Sequence, residues 1–167
     1  MKKYLIIALA MTTLISCNSN ADMSLFKENK EIAKKYLASY ESPTDYENFV
    51  SMTDEKIEHQ SPMYGAGIVG YEKVLDQGNF YMSNFSDVSF NDARWLPGVD
   101  EETLKADGSV RVYGTWKGVS NASGKSFSID SYHYFVIKEG KIVQSGDFMD
   151  ATGMVMAVEP DSQEEIE

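Results

Sequence analysis

"SIDSYHYFVIKEGKIVQSGDFMD", residues 128–150, reads as two β-strands joined by a tight turn. β-Branched and aromatic residues fill both arms, and Glu139-Gly140, between Lys138 and Lys141, has the length of a two-residue hairpin connection. Side chains alternate across a strand, so steps of two put His133 in one row with Phe127, Ile129, Phe135 and Ile137. A titratable ring therefore interrupts an otherwise apolar face.

Counting outward from this turn sets His133 opposite Gly146 and gives its face Ile142, Gln144, Gly146, Phe148 and Asp150 from the return strand. The missing side chain of Gly146 would leave space beside the imidazole, and Asp150 would supply a carboxylate two pairs along. Asp130, Tyr132, Tyr134 and Asp147 fall on the other face. A slip of one residue exchanges the two faces and makes Asp147 and Asp130 the inward carboxylates.

Further strands precede this hairpin over 87–96, 109–119 and from 125, separated by Pro97-Gly98, a polar loop and "SNASG". Before them, Ile32, Ala33, Tyr36, Leu37 and Tyr40 fall at helical spacing within 25–40, and Tyr71, Val74, Leu75, Met82 and Phe85 form a second such stripe. Between these helices, Ser42 as N-cap and Pro43 at the first position predict a short helix through Phe49 and Val50. A short strand, "KIEHQ", follows, with Ile57 and His59 on one face, ended by Ser61 and Pro62. The order helix, helix, strand, helix, then four strands predicts an α+β domain with a curved antiparallel sheet wrapped over helices.

The 167 residues make one domain, and 43% hydrophobic content suits a packed core. Lys2 and Lys3 followed by an apolar run over 4–15 predict a secretory signal. "LISC" at 14–17 resembles the lipobox of bacterial lipoproteins, which implies cleavage after residue 16 and lipidation of Cys17, the only cysteine in the chain. No intramolecular disulfide is then available. The expected organisation is a signal peptide over 1–16, a lipidated Cys17 with a tether to residue 24, a domain over 25–157, and a disordered acidic tail over 158–167. Asn18 after the cysteine favours the outer membrane. Loss of residues 1–16 removes Lys2 and Lys3 and no acid, so the formal charge of −11 becomes −13. A chain this acidic is repelled by nucleic acid, which excludes that class of partner.

Several stretches together resemble the SnoaL-like domains of the nuclear-transport-factor-two-like superfamily: "KIEHQSPMYGAGIVGYEKV", "NFSDVSF", "SVRVYGTWKGVSNASGKSFSID" and "FVIKEGKIVQSGDFMD". The likeness spans about residues 28–155 and implies a cone-shaped fold with a pocket between sheet and helices. Members of that family include polyketide cyclases, ketosteroid isomerases, dehydratases and pocket proteins without chemistry, so the resemblance implies fold more firmly than function. It also implies that His59 and Tyr64 lie at the pocket mouth, and that two copies can pair through the outer sheet face.

A histidine near neutrality can accept or donate a proton, and a neighbouring Asp would orient it. The enzyme expectation is a cofactor-independent acid/base cyclase, isomerase or dehydratase. In it His133 is the base, Asp150 or Asp147 orients it, and His59 or Tyr64 polarises a carbonyl. The binding expectation is a small, largely apolar organic molecule held by Tyr64, Trp116, Phe135, Gln144, Gly146 and Phe148. Each residue also has a plainer role: a core histidine satisfied by neighbours, Asp150 capping the turn "DATG", Trp116 packing. Two histidines without a paired spacing, and "GAGIVG" without a following Lys, give no metal or nucleotide motif.

Overall fold

A computed structural model describes residues 23–161. Cys17, the expected signal peptide, most of the tether and residues 162–167 lie outside the described residues. The elements are α1 (Ser24–Ala38), α2 (Tyr46–Met52), β1 (Thr53–Gln60), β2 (Ile68–Val69), α3 (Tyr71–Asn84), β3 (Phe85–Val99), β4 (Ala106–Ser120), β5 (Ser126–Lys138), β6 (Lys141–Phe148) and α4 (Ala151–Ala157). One sheet holds all six strands in the order β2-β1-β6-β5-β4-β3. The α+β class and the run of helices and long strands are as the sequence predicts.

Three local expectations change. The sheet is mixed, because β1 lies parallel to β6 while the other pairs are antiparallel. The cap of α2 is Asp45, whose carboxylate accepts the Asn48 N–H at 2.9 Å, and not Ser42. Ser42 is occupied elsewhere: its hydroxyl accepts the Val88 N–H, and its own N–H donates to the Val88 carbonyl, each at 2.9 Å. A fourth helix follows β6, started by the Asp150 carboxylate accepting the Gly153 N–H at 2.9 Å, and it buries Ala151 and Met154. Packing continues beyond α4, since Val158 is buried and Lys125 donates to the Glu159 carbonyl.

Bulges bend the sheet. Asp87 and Asp92, at φ 53° and 54°, fall where β3 gains a residue on β4 twice. An extra residue in the left-handed conformation kinks the strand and raises its twist. The resulting concave face takes α1, which buries Phe26, Ala33, Tyr36 and Leu37, with Phe49 from α2, against Val110, Val112, Trp116, Phe135 and Ile142. Each such large side chain contributes about 1.5–3 kcal/mol when fully buried.

The decisive bulge is in the closing hairpin. Its turn is the expected one: Glu139 and Gly140 have φ 51° and 80°, and Lys138 pairs with Lys141, then Ile137 with Ile142. The next pair is Val136 with Gln144, so Val143 is an extra residue. From there on β6 presents its other face. His133 pairs with Asp147, and Gly146 pairs with Tyr134. The exchange foreseen for a slipped turn is thus realised by a bulge, and on β6 alone; Asp130 stays outward, accepting a hydrogen bond from Thr115 Oγ1 at 2.7 Å.

Candidate functional site

Four strands and one helix bring polar groups to the concave face. β5 supplies His133 (2% exposed), β6 Ser145 and Asp147, β1 His59 (4% exposed), β4 Trp116 and α3 Gln77. Asp147 is the centre. Its Oδ1 lies 2.7 Å from His133 Nδ1, and its Oδ2 accepts from Gln77 Nε2 at 3.3 Å and lies 3.6 Å from His59 Nε2.

Donor and acceptor capacities fix the protons. An indole N–H only donates, and that of Trp116 points at His133 Nε2 at 2.9 Å. His133 Nε2 is therefore the acceptor, and the ring proton sits on Nδ1, donated to Asp147. Ser131 Oγ, 3.0 Å from the same Nε2, also lies 3.1 Å from the Gly114 carbonyl to which it donates.

Gln77 does for His59 what Trp116 does for His133. The Met63 N–H donates to Ser61 Oγ at 3.3 Å, which leaves the Ser61 hydroxyl proton for Gln77 Oε1 at 3.0 Å. The Gln77 amide nitrogen then faces inward and lies 3.3 Å from both His59 Nε2 and Asp147 Oδ2. Its two hydrogens serve one each, so His59 carries its proton on Nδ1, toward Ser145 Oγ at 2.9 Å. Burial pushes the Asp147 carboxyl up, but the His133 ring, by its field and its hydrogen bond, then His59 and the Gln77 amide, outweigh it and hold the group below the usual carboxylate range.

These groups form one end of a chamber whose walls are mostly apolar. Phe85, Val88, Phe127, Ile129, Met149 and Met154 close the other end. Tyr36, Tyr40 and Trp116 line it with Phe135, their ring centroids 5.8 to 6.4 Å apart in sequence around the wall. Burial above all, with a smaller contribution from the field of Asp147, raises the phenols of Tyr36, Tyr40 and Tyr81, so all three stay protonated. Gly114 and Gly118 flank Trp116 on the same face of β4, and a Cβ at either would strike the ring of Phe90 or of Phe127. About 70 Å³ is open to the centre of a water-sized molecule. Because a ligand's atoms extend beyond the space their centres sweep, that is room for several waters or a small organic ligand. Among the described residues no group of His, Cys, Asp and Glu is arranged to hold a metal ion.

Of the residues expected at a site, His133, His59, Asp147, Trp116 and Phe135 line this chamber together. The others do not. Asp150 caps α4; Gln144 is exposed and donates to Glu58 Oε2 at 3.2 Å; Phe148 is 49% exposed on the convex face. Gly146 leaves no gap beside the imidazole, since its missing Cβ accommodates the ring of Tyr134 on that convex face. Tyr64 is 95% exposed. The bulge at Val143 accounts for Gln144, Gly146 and Phe148; for Tyr64 the cause is the loop before β2, which turns outward through Gly65 and Gly67 at φ 79° and 64°. Sequence reasoning missed Gln77, Ser145, Tyr36, Tyr40 and Tyr81 as site residues.

No family model matches the chain, and no curated protein matches its sequence. Solved structures do resemble it. A candidate isomerase from Bacillus subtilis superposes with a TM-score of 0.67 at 16% identity, over 81% of this chain and 95% of that one. A candidate polyketide cyclase from Xanthomonas campestris pv. campestris gives 0.63 at 12% identity, over 81% and 99%. A protein of ketosteroid isomerase-like fold from Catenulispora acidiphila, solved in complex with trimethylamine, gives 0.60 at 12% identity, over 77% and 92%. The fold is therefore that of the nuclear-transport-factor-two-like proteins.

Proposed function

We propose that this chain binds a compact, largely apolar organic molecule in the chamber under its concave sheet, with the polar end of the ligand toward Asp147. The observation that carries this reading is a cavity whose mostly apolar walls hold a connected polar cluster, the usual build of a small-molecule site. The trimethylamine complex of the Catenulispora acidiphila protein is a ligand of matching size on a similar fold. A ligand that binds only the folded chain raises its melting temperature by mass action, so a thermal-shift screen of small organic molecules tests it. Absence of any stabilising compound, with Phe135→Trp filling the cavity at no loss of stability, would count against it.

An acid/base enzyme is the second reading, and Asp147 favours it over the expected His133. Both imidazole Nε2 atoms already accept an N–H, whereas Asp147 Oδ2 keeps acceptor capacity beside neutral phenols. The carboxylate would take a proton next to a substrate carbonyl, and Tyr36 or Tyr40 would donate to the oxygen. Turnover of a carbonyl compound that survives His133→Gln and is abolished by Asp147→Asn is its signature.

The cellular setting is part of the proposal. Cleavage before Cys17 and its lipidation would anchor the domain to the bacterial envelope, the outer membrane being favoured, and no helix among the described residues is long and apolar enough to cross a membrane. Metabolic labelling with a fatty acid, lost in Cys17→Ser, tests the anchor. The exposed Tyr113 and Phe148 of the convex face, with Tyr132 and Tyr134 between them, suit pairing with a second copy.

A further inference from the structure

We infer that the ligand of this chamber is a small organic cation, an ammonium bearing compact alkyl groups. The inference rests on the binding reading above and adds the charge of the ligand to it. Among the described residues lining the chamber there is no Lys and no Arg. Each histidine already spends its Nε2 lone pair on an N–H, His133 on that of Trp116 and His59 on that of the Gln77 amide. The three lining tyrosines remain neutral phenols. Asp147 is thus the one acid of the chamber, and neither Lys nor Arg faces it there.

Its carboxylate is within reach of a ligand. Asp147 lines the chamber, and its side chain is 17% exposed. Oδ1 is taken by His133, while Oδ2 accepts only the long Gln77 bond and has lone pairs to spare. Tyr36, Tyr40, Trp116 and Phe135 line the same chamber, and an aromatic ring attracts a cation that meets its face. A cation entering this space meets the carboxylate in a partly dry setting, where their attraction is stronger than in water. An anion of the same shape meets only repulsion, and a neutral isostere gains packing alone. A chamber of this size suits compact substituents such as methyl or branched C4 groups.

Three tert-butyl compounds separate these cases: tert-butylammonium and tert-butanol, of nearly one shape, and pivalate, with the neutral pivalamide as its size match, titrated at pH 7 and equal ionic strength into the full chain and followed by calorimetry and thermal shift. The expected order is tert-butylammonium at least tenfold tighter than tert-butanol, with pivalate not binding. Asp147→Asn should bring the first two level and leave tert-butanol unchanged. Equal or tighter binding of tert-butanol or pivalate by the wild type overturns the charge assignment while the pocket reading stands. If none of these compounds binds, the pocket reading itself fails for ligands of this size, and the cation with it. The wild-type comparison needs no variant, so a poorly folded Asp147→Asn would not rescue the inference.

Discussion

The two faces of the β5–β6 hairpin are almost equally aromatic, yet one encloses a chamber and the other meets solvent. On the concave side Phe135 is buried and His133 and Asp147 pair at 2.7 Å beneath Trp116. On the convex side Tyr132, Tyr134 and Phe148 form a row with Tyr113, its rings 4.9 to 6.3 Å apart and its hydroxyls free to reach water. Composition does not separate these rows. Direction does, and on β6 the direction of every residue after Ile142 depends on Val143 being left unpaired.

Deleting one residue from each strand tests the comparison in different ways. Without Val136, on β5, simple alternation from the turn would carry Phe135 and His133 to the convex side and drive Tyr134 and Tyr132 into the core. The net stability of a domain is only ~5–15 kcal/mol, and misdirecting several side chains at once should exceed it, so this variant is expected to lose its near-ultraviolet circular dichroism and its cooperative urea transition. Without Val143, Gln144 still falls opposite Val136 and Asp147 opposite His133, so that variant should fold and keep its ligand site. A Val143 deletion that turned Asp147 outward and abolished binding would show that alternation from the turn does not decide the face. Truncating one inward ring is the next step down. Phe135→Ala should cost about 3–5 kcal/mol in urea unfolding, as for a fully buried aromatic ring that leaves a cavity.

How much of this could be read beforehand follows from where each piece of information resides. The orientation of His133 depends on β5 alone, and its alternation with Phe127, Ile129 and Phe135 was legible because no bulge interrupts β5 over those residues. The turn was legible too, since Glu139-Gly140 is local chemistry. The bulge was not. Val143 is an ordinary strand residue, and its unpaired position arises where β6 lies between antiparallel β5 and parallel β1, whose own register shifts between Thr53 and Glu58. That is a property of three strands, and no short window carries it. Gln77 left a faint trace: it stands three residues after Val74 and four before Tyr81, a polar side chain within an apolar helical stripe. The capping role of Asp150 was the plainer of its two readings and needed only "DATG".

Smaller perturbations sharpen the contrast. Gly146→Ala adds one methyl group on the convex side, where it meets the Tyr134 ring and comes 3.0 Å from Gln60 Cβ. Overpacking of this kind costs ~1–3 kcal/mol. Ligand affinity should not change, because the added group is across the sheet from the chamber; an altered affinity would return Gly146 to the site.

Asp147 separates the faces by pH. Its native carboxyl titrates below the unfolded value of 3.8, so it favours the folded state at higher pH, and that contribution is lost as pH falls through the native value. The urea midpoint of the wild type should thus fall further on acidification than that of Asp147→Asn, with the difference confined to acid and absent between pH 6 and 8. A matching slope in the two proteins would mean that the carboxyl is not held low.

The smallest effect belongs to Phe148→Ala, and its size depends on what covers the convex face. In a lone chain the ring is 49% exposed and pairs with the rings of Tyr132, its cross-strand partner, and Tyr134, at centroid distances of 5.6 and 6.3 Å. Such a pair contributes roughly 0.2–1 kcal/mol, so the variant should melt within a few degrees of the wild type and bind ligand equally well. A second copy seated on this row would change both numbers. Removal of the ring would then cost more than a cross-strand pair can, and the loss would grow with protein concentration, because association stabilises the fold by mass action. Sedimentation of wild type and Phe148→Ala across a hundredfold dilution distinguishes the two cases. A sedimentation coefficient independent of concentration in both would leave the convex row as solvated surface, and the functional asymmetry of the hairpin would rest on the concave side alone.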